Sequence, residues 1–345
     1  MTLIYFILIL GVTIFVHELG HFIFAKRAGI YVYEFSLGMG PKIFSFNRKD
    51  DETVYSIRLF PLGGFVQMAG EEITPDEEIP EEKRMQSKTW VERFLTIVAG
   101  CISNFIFALI LLFVVGLIYG SPELKPYIGE SLKNYPAYEV GIEDGDLILS
   151  INGENMSTSD DVLMKLELLD KEKTASFKVE KKDGTIKTYD LNPKKETIDG
   201  VEQYKFGFTF TDKVNYGLGE TLKFTFTKFA STVKSMFQVI TNLITGNLGL
   251  DRLSGPVGIY GIVGEGVKAG FENVLFLTAF LSINVGFVNL LPFPAFDGGR
   301  LLFLVIEKIK GSKVDSKFEN ILHAIGFALL IILMIYITIQ DISRL

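Results

Sequence analysis

The sequence predicts a polytopic α-helical membrane protein: four transmembrane helices, an inserted α+β domain and a small membrane-associated β-hairpin or sheet. Three observations predict it. The 345 residues are 48% hydrophobic, with 30 Phe and a mean hydropathy of +0.32, richer in apolar and aromatic residues than a disordered chain. The chain still carries 22% charged residues, too many for a bundle of membrane helices alone, so charge must be segregated from the apolar stretches. Four runs with little or no charge then reach the roughly 20 residues that a helix needs to cross about 30 Å of hydrocarbon.

The first run, Thr2 to Ala25, is apolar apart from His17, Glu18 and His21, and residues 1–28 are expected to form the first transmembrane helix. A secretory signal peptide is a poor reading, because no positive segment precedes the apolar run and Lys26 and Arg27 follow it. Residues 29–89 form a loop rich in Lys and Arg, cytoplasmic by the positive-inside rule. Within it Tyr31 to Phe35, Lys42 to Asn47 and Thr53 to Leu59 read as short strands, punctuated by Gly38, Gly40, Gly63 and Gly64. The acidic stretch from Glu71 to Glu82 reads as a solvated linker, and Trp90 as an interfacial anchor. Residues 90–120 hold the second span, whose uncharged run is Phe94 to Tyr119.

Residues 125–212 have the composition of a soluble domain, extracytoplasmic by the same charge rule, as are both termini. Its signature runs from Pro136-Ala137 through Gly141, Gly145-Asp146 and Ile148 to Asn152-Gly153: a short helix, a Gly-Asp turn, a strand and an Asn-Gly turn. This resembles the bacterial PDZ pattern, and Lys205-Phe206-Gly207-Phe208 could form part of its peptide-binding loop. Residues 213–270 read as an amphipathic segment on the membrane surface, with Ser254 to Ile259 as a tight connector. Residues 271–305 hold the third span, broken near Pro292 and Pro294; 306–320 form a cytoplasmic loop; 321–342 hold the fourth span, in which His323 stands alone.

The net charge of −7 and a pI near 5.2 leave no basic footprint for nucleic acid. A single cysteine, Cys101, forbids an intramolecular disulfide and a Cys-based zinc cage, and its apolar run makes it a small buried hydrophobe.

His17-Glu18-Leu19-Gly20-His21 is an H-E-x-x-H pentad. Residues four apart share one helix face, so both imidazoles can converge on one metal while Glu18 reaches its water. Ionisable groups inside an apolar span are costly, so these need a metal or a wet cavity. A catalytic zinc takes three protein ligands and an open position, and Asp297 is the candidate for the third. It follows Asn289-Leu290-Leu291-Pro292-Phe293-Pro294, where the prolines unwind the span, and irregular backbone at membrane depth survives only around a protein-lined or wet cavity.

With these residues in view the chain resembles, along essentially its whole length, the site-2 protease family of intramembrane zinc metalloproteases, in its bacterial PDZ-containing type. The resemblance rests on the pentad, the Asn289-x-x-Pro292-x-Pro294-x-x-Asp297-Gly298 element and Gly100-x-x-x-Asn104, and extends to Pro61 to Val66 and Ser254 to Ile259. Cys101-Ile102 follows Gly100 where members usually place a proline, and Phe296 precedes Asp297 where Leu is common; neither is expected to touch a ligand.

The resemblance implies hydrolysis at a zinc held by His17, His21 and Asp297, with Glu18 as general base. It implies that Asn104, Asn289, Pro292 and Pro294 bind substrate; for the two amides, interhelical hydrogen bonding is the alternative. It further implies a multi-pass protein of the bacterial inner membrane whose substrates are single-span proteins, such as pre-cleaved anti-sigma factors or remnant signal peptides, with lipid and a PDZ peptide ligand as further partners. A strand edge in the Tyr31 to Met68 sheet could hold an unwound substrate. A catalytically silent PDZ scaffold and a metal-dependent transporter remain as alternatives.

Overall fold

The computed structural model describes residues 1–71, 78–171, 173–198 and 201–344; part of the acidic linker, residues 72–77, lies outside them. In chain order the helices are α1 (Thr2–Arg27), α2 (Trp90–Ile118), α3 (Pro136–Glu139), α4 (Ser159–Leu168), α5 (Leu218–Ile244), α6 (Pro256–Lys268), α7 (Phe271–Leu290), α8 (Asp297–Lys310) and α9 (Ser316–Ser343). The chain forms two compact units, residues 1–111 with 250–345, and residues 112–249, the division falling within α2.

Four helices, α1, α2, α7 and α9, are long and apolar enough to cross a membrane, the four runs of the sequence. Their outer faces stay apolar: Leu3, Ile4 and Leu8 on α1 and Ile325, Leu329, Ile332 and Ile335 on α9 are exposed. Surfaces of that kind suit lipid, where a helix satisfies its own backbone. The protein is multi-pass. In the 271–305 stretch, expected to be broken at its prolines, α7 ends at Leu290: Pro292 and Pro294 cannot continue the ladder, and the chain restarts as the separate helix α8 at Asp297. Trp90 is tied down more firmly than an interfacial anchor, since its Nε1–H donates to the Leu304 carbonyl at 2.8 Å and its ring stacks on Phe94.

Ser254 to Ile259 is only partly a connector, because Pro256 starts α6 at the position where a missing N–H costs nothing. Gly258, Gly261, Gly264 and Gly266 give α6 poor intrinsic propensity, which hid it in the sequence. Packing overrides that. Val263 lies in a buried cluster with Phe6, Ile9, Val274 and Leu281, and buried Asp341 of α9 accepts from the Gly258 N–H at 2.8 Å, capping the helix start.

Two long antiparallel strands, β1 (Val32–Asn47) and β2 (Val54–Met68), replace the three short ones expected. Both bend, so Phe35 pairs with Tyr55 on one side and Val66 on the other. The 32–37 segment is therefore central, and the Gly63-Gly64 stretch taken for punctuation belongs to a strand that, among the described residues, pairs with β1. Glu34 ties three segments together, accepting from Ser56 Oγ at 2.5 Å and Arg58 Nη2 at 2.7 Å and pairing with Lys42 at 2.7 Å. Burial pushes this carboxyl up, but those three donors outweigh it and hold Glu34 below the usual carboxylate range.

The second unit contains a four-stranded antiparallel sheet, in spatial order Glu154–Asn155, Leu147–Ile151, Ala175–Glu180, Ile186–Leu191. Its core gathers Ile128, Ile142, Ile148, Ile151, Val162 and Phe177. The signature residues fall where the sequence puts them. Asp146 accepts from the Glu143 N–H at 2.8 Å and from Lys181 Nζ at 2.6 Å, closing the Gly-Asp turn. Asn152 and Gly153 both take positive φ, the geometry of a tight two-residue hairpin turn. A capping box between Thr158 and Asp161 starts α4, whose Asp160 and Asp161 hold Lys228 and Lys234 of α5. The expected surface segment 213–270 is thus two helices in different units, α5 here and α6 in the other.

Candidate active site

One turn of α1 separates His17 and His21, which puts their rings on one face with Nε2 atoms 3.1 Å apart. Asp297, the first residue of α8, brings its Oδ2 to 3.1 Å and 3.2 Å from the same two nitrogens. A tetrahedral zinc with bonds of about 2.0–2.1 Å separates its ligand atoms by roughly 3.3 Å, so the spacing suits that ion.

A stripe of α2 at intervals of four, Thr96, Gly100 and Asn104, faces the histidines. The Thr96 carbonyl lies 2.9 Å from His21 Nδ1. A carbonyl only accepts, so Nδ1 carries the proton and Nε2 keeps its lone pair for a metal. At Gly100 there is no room for a side chain: a Cβ would lie 2.3 Å from His21 Nε2. Asn104 is fully buried, its side-chain nitrogen 3.4 Å from His17 Nδ1 and its Oδ1 without a partner among the described residues. Exchanging the amide's O and N places an acceptor against His17 Nδ1, which can then donate to it and leave His17 Nε2 free. Both histidines thus fit a metal at Nε2, each with the outer hydrogen bond that ligating histidines usually make.

A cavity of about 570 Å³ opens on this centre, lined by His17, Glu18, His21, Asp297, Asn289 and the Gly63-Gly64-Phe65-Val66 edge of β2, among others. The Glu18 carboxylate accepts from the Val66 backbone N–H. Asn104, Pro292 and Pro294 do not line the cavity; Asn104 is sealed behind His17, while Pro294 lies against α9.

Sequence reasoning missed three features. Cys101 is buried as expected, but its Sγ lies 3.7 Å from Asp297 Oδ2, so this departure from the family pattern does touch a candidate ligand. Arg300, paired with Glu71, lines the cavity. His323 is not alone: it shares the cavity and its Nδ1 accepts from the Ala295 N–H at 3.0 Å. Its one early signal was the cost of a histidine in an apolar span.

Fold and site together define a membrane-embedded metallopeptidase, with its histidine and acidic residues gathered inside a helical bundle. The chain belongs to peptidase family M50, the site-2 protease family, whose match covers residues 5–333. It is 36% identical to the zinc metalloprotease RasP of Bacillus licheniformis, over 100% of this chain and 99% of the relative. It is 35% identical to the regulator of sigma-W protease RasP of Bacillus subtilis, again over 100% and 99%. A putative zinc metalloprotease of Clostridium perfringens is 37% identical over 99% of this chain and 98% of its own. The protein is a zinc metalloendopeptidase of the membrane, and these relatives favour that over the scaffold and the transporter.

Proposed function

We propose that this chain hydrolyses single-span membrane proteins within the bilayer, with His17, His21 and Asp297 as metal ligands and Glu18 as general base. The observation that carries the reading is the convergence of three ligand atoms at 3.1–3.2 Å on a cavity that also holds Glu18. Zinc, when bound, supplies a Lewis acid that polarises a peptide carbonyl and acidifies water beside it. Glu18, steered by the Val66 N–H, takes a proton from the attacking water and returns it to the leaving nitrogen. Asn289 offers its amide to the substrate main chain from the cavity wall, whereas the burial of Asn104 against His17 favours a role in orienting that ring. Purified protein in detergent is expected to cut a model single-span substrate, to stop on chelation and to resume when zinc returns. Cleavage that survives complete zinc removal would sink the proposal.

A transmembrane helix hides its peptide bonds in its own ladder, so the substrate must be extended first. The Gly63-Gly64-Phe65-Val66 stretch of β2 lines the cavity beside Glu18, and an extended segment can pair with it by strand addition. N-methylating successive substrate residues should then slow cleavage with a two-residue period, and a flat response counts against this docking. The likeness to a sigma-W regulator points to membrane-bound anti-sigma factors already shortened by another protease as substrates, with remnant signal peptides as a second class.

Residues 125–212 of the second unit are best read as a PDZ domain, which gates access from the extracytoplasmic side. The supporting observations are its helix, turn and hairpin order and Gly207 at positive φ, beside the 208–210 strand that pairs with 128–131. Substrates with progressively larger extracytoplasmic domains should be cut progressively more slowly, and a C-terminal peptide that competes would mark its groove as a binding site. Because Cys101 is buried, a cysteine added at Lys187 reports sidedness cleanly. Labelling from the cytoplasmic face would overturn the orientation, in the bacterial inner membrane, with both termini and this domain outside.

A further inference from the structure

Asp297 reaches the histidines from the end of an irregular segment, residues 291–296, that its own hydrogen bonds fix only partly. Phe293 N–H donates to the Leu291 carbonyl at 2.7 Å and Phe296 N–H to the Phe293 carbonyl at 3.1 Å. Between them Ala295 takes φ +93°, a conformation that side-chain-bearing residues rarely adopt and that persists only where the surroundings enforce it.

The enforcement comes from α9. His323 Nδ1 accepts from the Ala295 N–H at 3.0 Å. Three residues on, on the same helix face, a Cβ at Gly326 would lie 2.2 Å from the Pro294 carbonyl oxygen, so only glycine lets the loop settle this deeply onto α9. The His323 ring packs against Phe303 of α8, with centroids 6.0 Å apart, which limits its rotation. The Nδ1 acceptor role requires the proton on Nε2, which is buried without a hydrogen-bond partner among the described residues and lies 4.0 Å from the Glu319 carboxylate.

We infer that His323 is a positioning residue of the metal centre: with Gly326 it forms a seat on α9 that clamps the Pro294-Ala295 turn and thereby sets the Asp297 carboxylate against His17 and His21. The inference rests on the reading of Asp297 as a ligand. The seat acts through one ring nitrogen, so substitutions can separate its two ends. The amide oxygen of asparagine falls near the place of Nδ1, whereas the longer glutamine reaches toward that of Nε2.

The test uses the full-length protein in detergent and reads zinc affinity by competition with a chromophoric chelator, alongside kcat, KM and the melting temperature. His323→Ala is expected to weaken zinc binding by about 10–100-fold, the usual loss for an outer partner of a ligand, and to lower kcat with KM little changed. His323→Asn should recover zinc affinity to within about 3-fold of wild type on the same scale, and His323→Gln should behave like alanine. Gly326→Ala, which displaces the loop with His323 intact, should reproduce the zinc loss. The inference is overturned if His323→Ala keeps wild-type affinity while Asp297→Ala loses zinc, or if glutamine rescues and asparagine does not, since the working end is then Nε2. If Asp297→Ala itself keeps wild-type affinity, the ligand assignment fails and this inference falls with it.

Discussion

Replacing Glu18 with glutamine should lower kcat on a single-span substrate by about 10³-fold, within the range for losing a positioned acid–base group, while the protein keeps its zinc. The substitution is chosen for what it preserves. Glutamine has the same length, and its carbonyl oxygen can accept the Val66 N–H that holds the glutamate, so the edge of β2 and the cavity wall should stay in place. What it removes is the ability to take a proton near neutral pH. Among the described residues Glu18 shares no hydrogen bond with the two histidines or Asp297, so metal content measured by elemental analysis should match wild type. Glu18→Asp keeps the carboxylate but shortens its reach by one methylene, and should retain more activity than glutamine. Wild-type turnover by the glutamine variant, with zinc stoichiometric, would remove Glu18 from the mechanism; loss of zinc would mean that it supports the metal instead.

What the sequence disclosed and what it hid follow from the range of the interactions involved. The spans were legible because hydrocarbon demands long uncharged runs. The pentad was legible because two candidate ligands and the proposed base sit within five residues of one helix. Asp297 was within reach because prolines and a carboxylate at membrane depth need a reason.

Other features depend on partners distant in sequence and leave no local mark. The role of Asn104 appears only when α2 lies against α1 and buries it on His17. The α6 helix reads as a glycine-interrupted stretch of poor propensity, and the cap on its Gly258 N–H comes from Asp341, 83 residues away. The central position of residues 32–37 depends on pairing to both halves of β2, which strand periodicity cannot encode. His323 looked solitary because its partner is a backbone N–H, and any residue could have supplied one.

Gly100→Ala should cost the protein its metal, with zinc affinity falling about 10²-fold or more and cleavage falling with it, more than the loss of a single outer partner of a ligand. The added methyl would lie 2.3 Å from His21 Nε2 and 2.8 Å from His17 Cε1, and His21 Nε2 is the candidate ligating atom itself. Two routes of relief are blocked. The α2 backbone is held against α7 by the Ser282 hydroxyl, which donates to the Asn104 carbonyl at 2.9 Å, and His21 is tied by its Nδ1 to the Thr96 carbonyl. The rings must therefore rotate away from Asp297. Loss of fold is not the expected route, because alanine is the better helix former by roughly 1 kcal/mol in a helix interior. Gly11→Ala serves as the control: its Cβ would meet nothing within 4 Å, so zinc affinity and cleavage should stay at wild-type values. A Gly100→Ala protein that melts like wild type and has lost zinc would locate the effect at the imidazoles. If it binds zinc as tightly as the Gly11 control, α2 does not press on the metal centre as the geometry requires, and the packing of Gly100 against the two histidines is wrong.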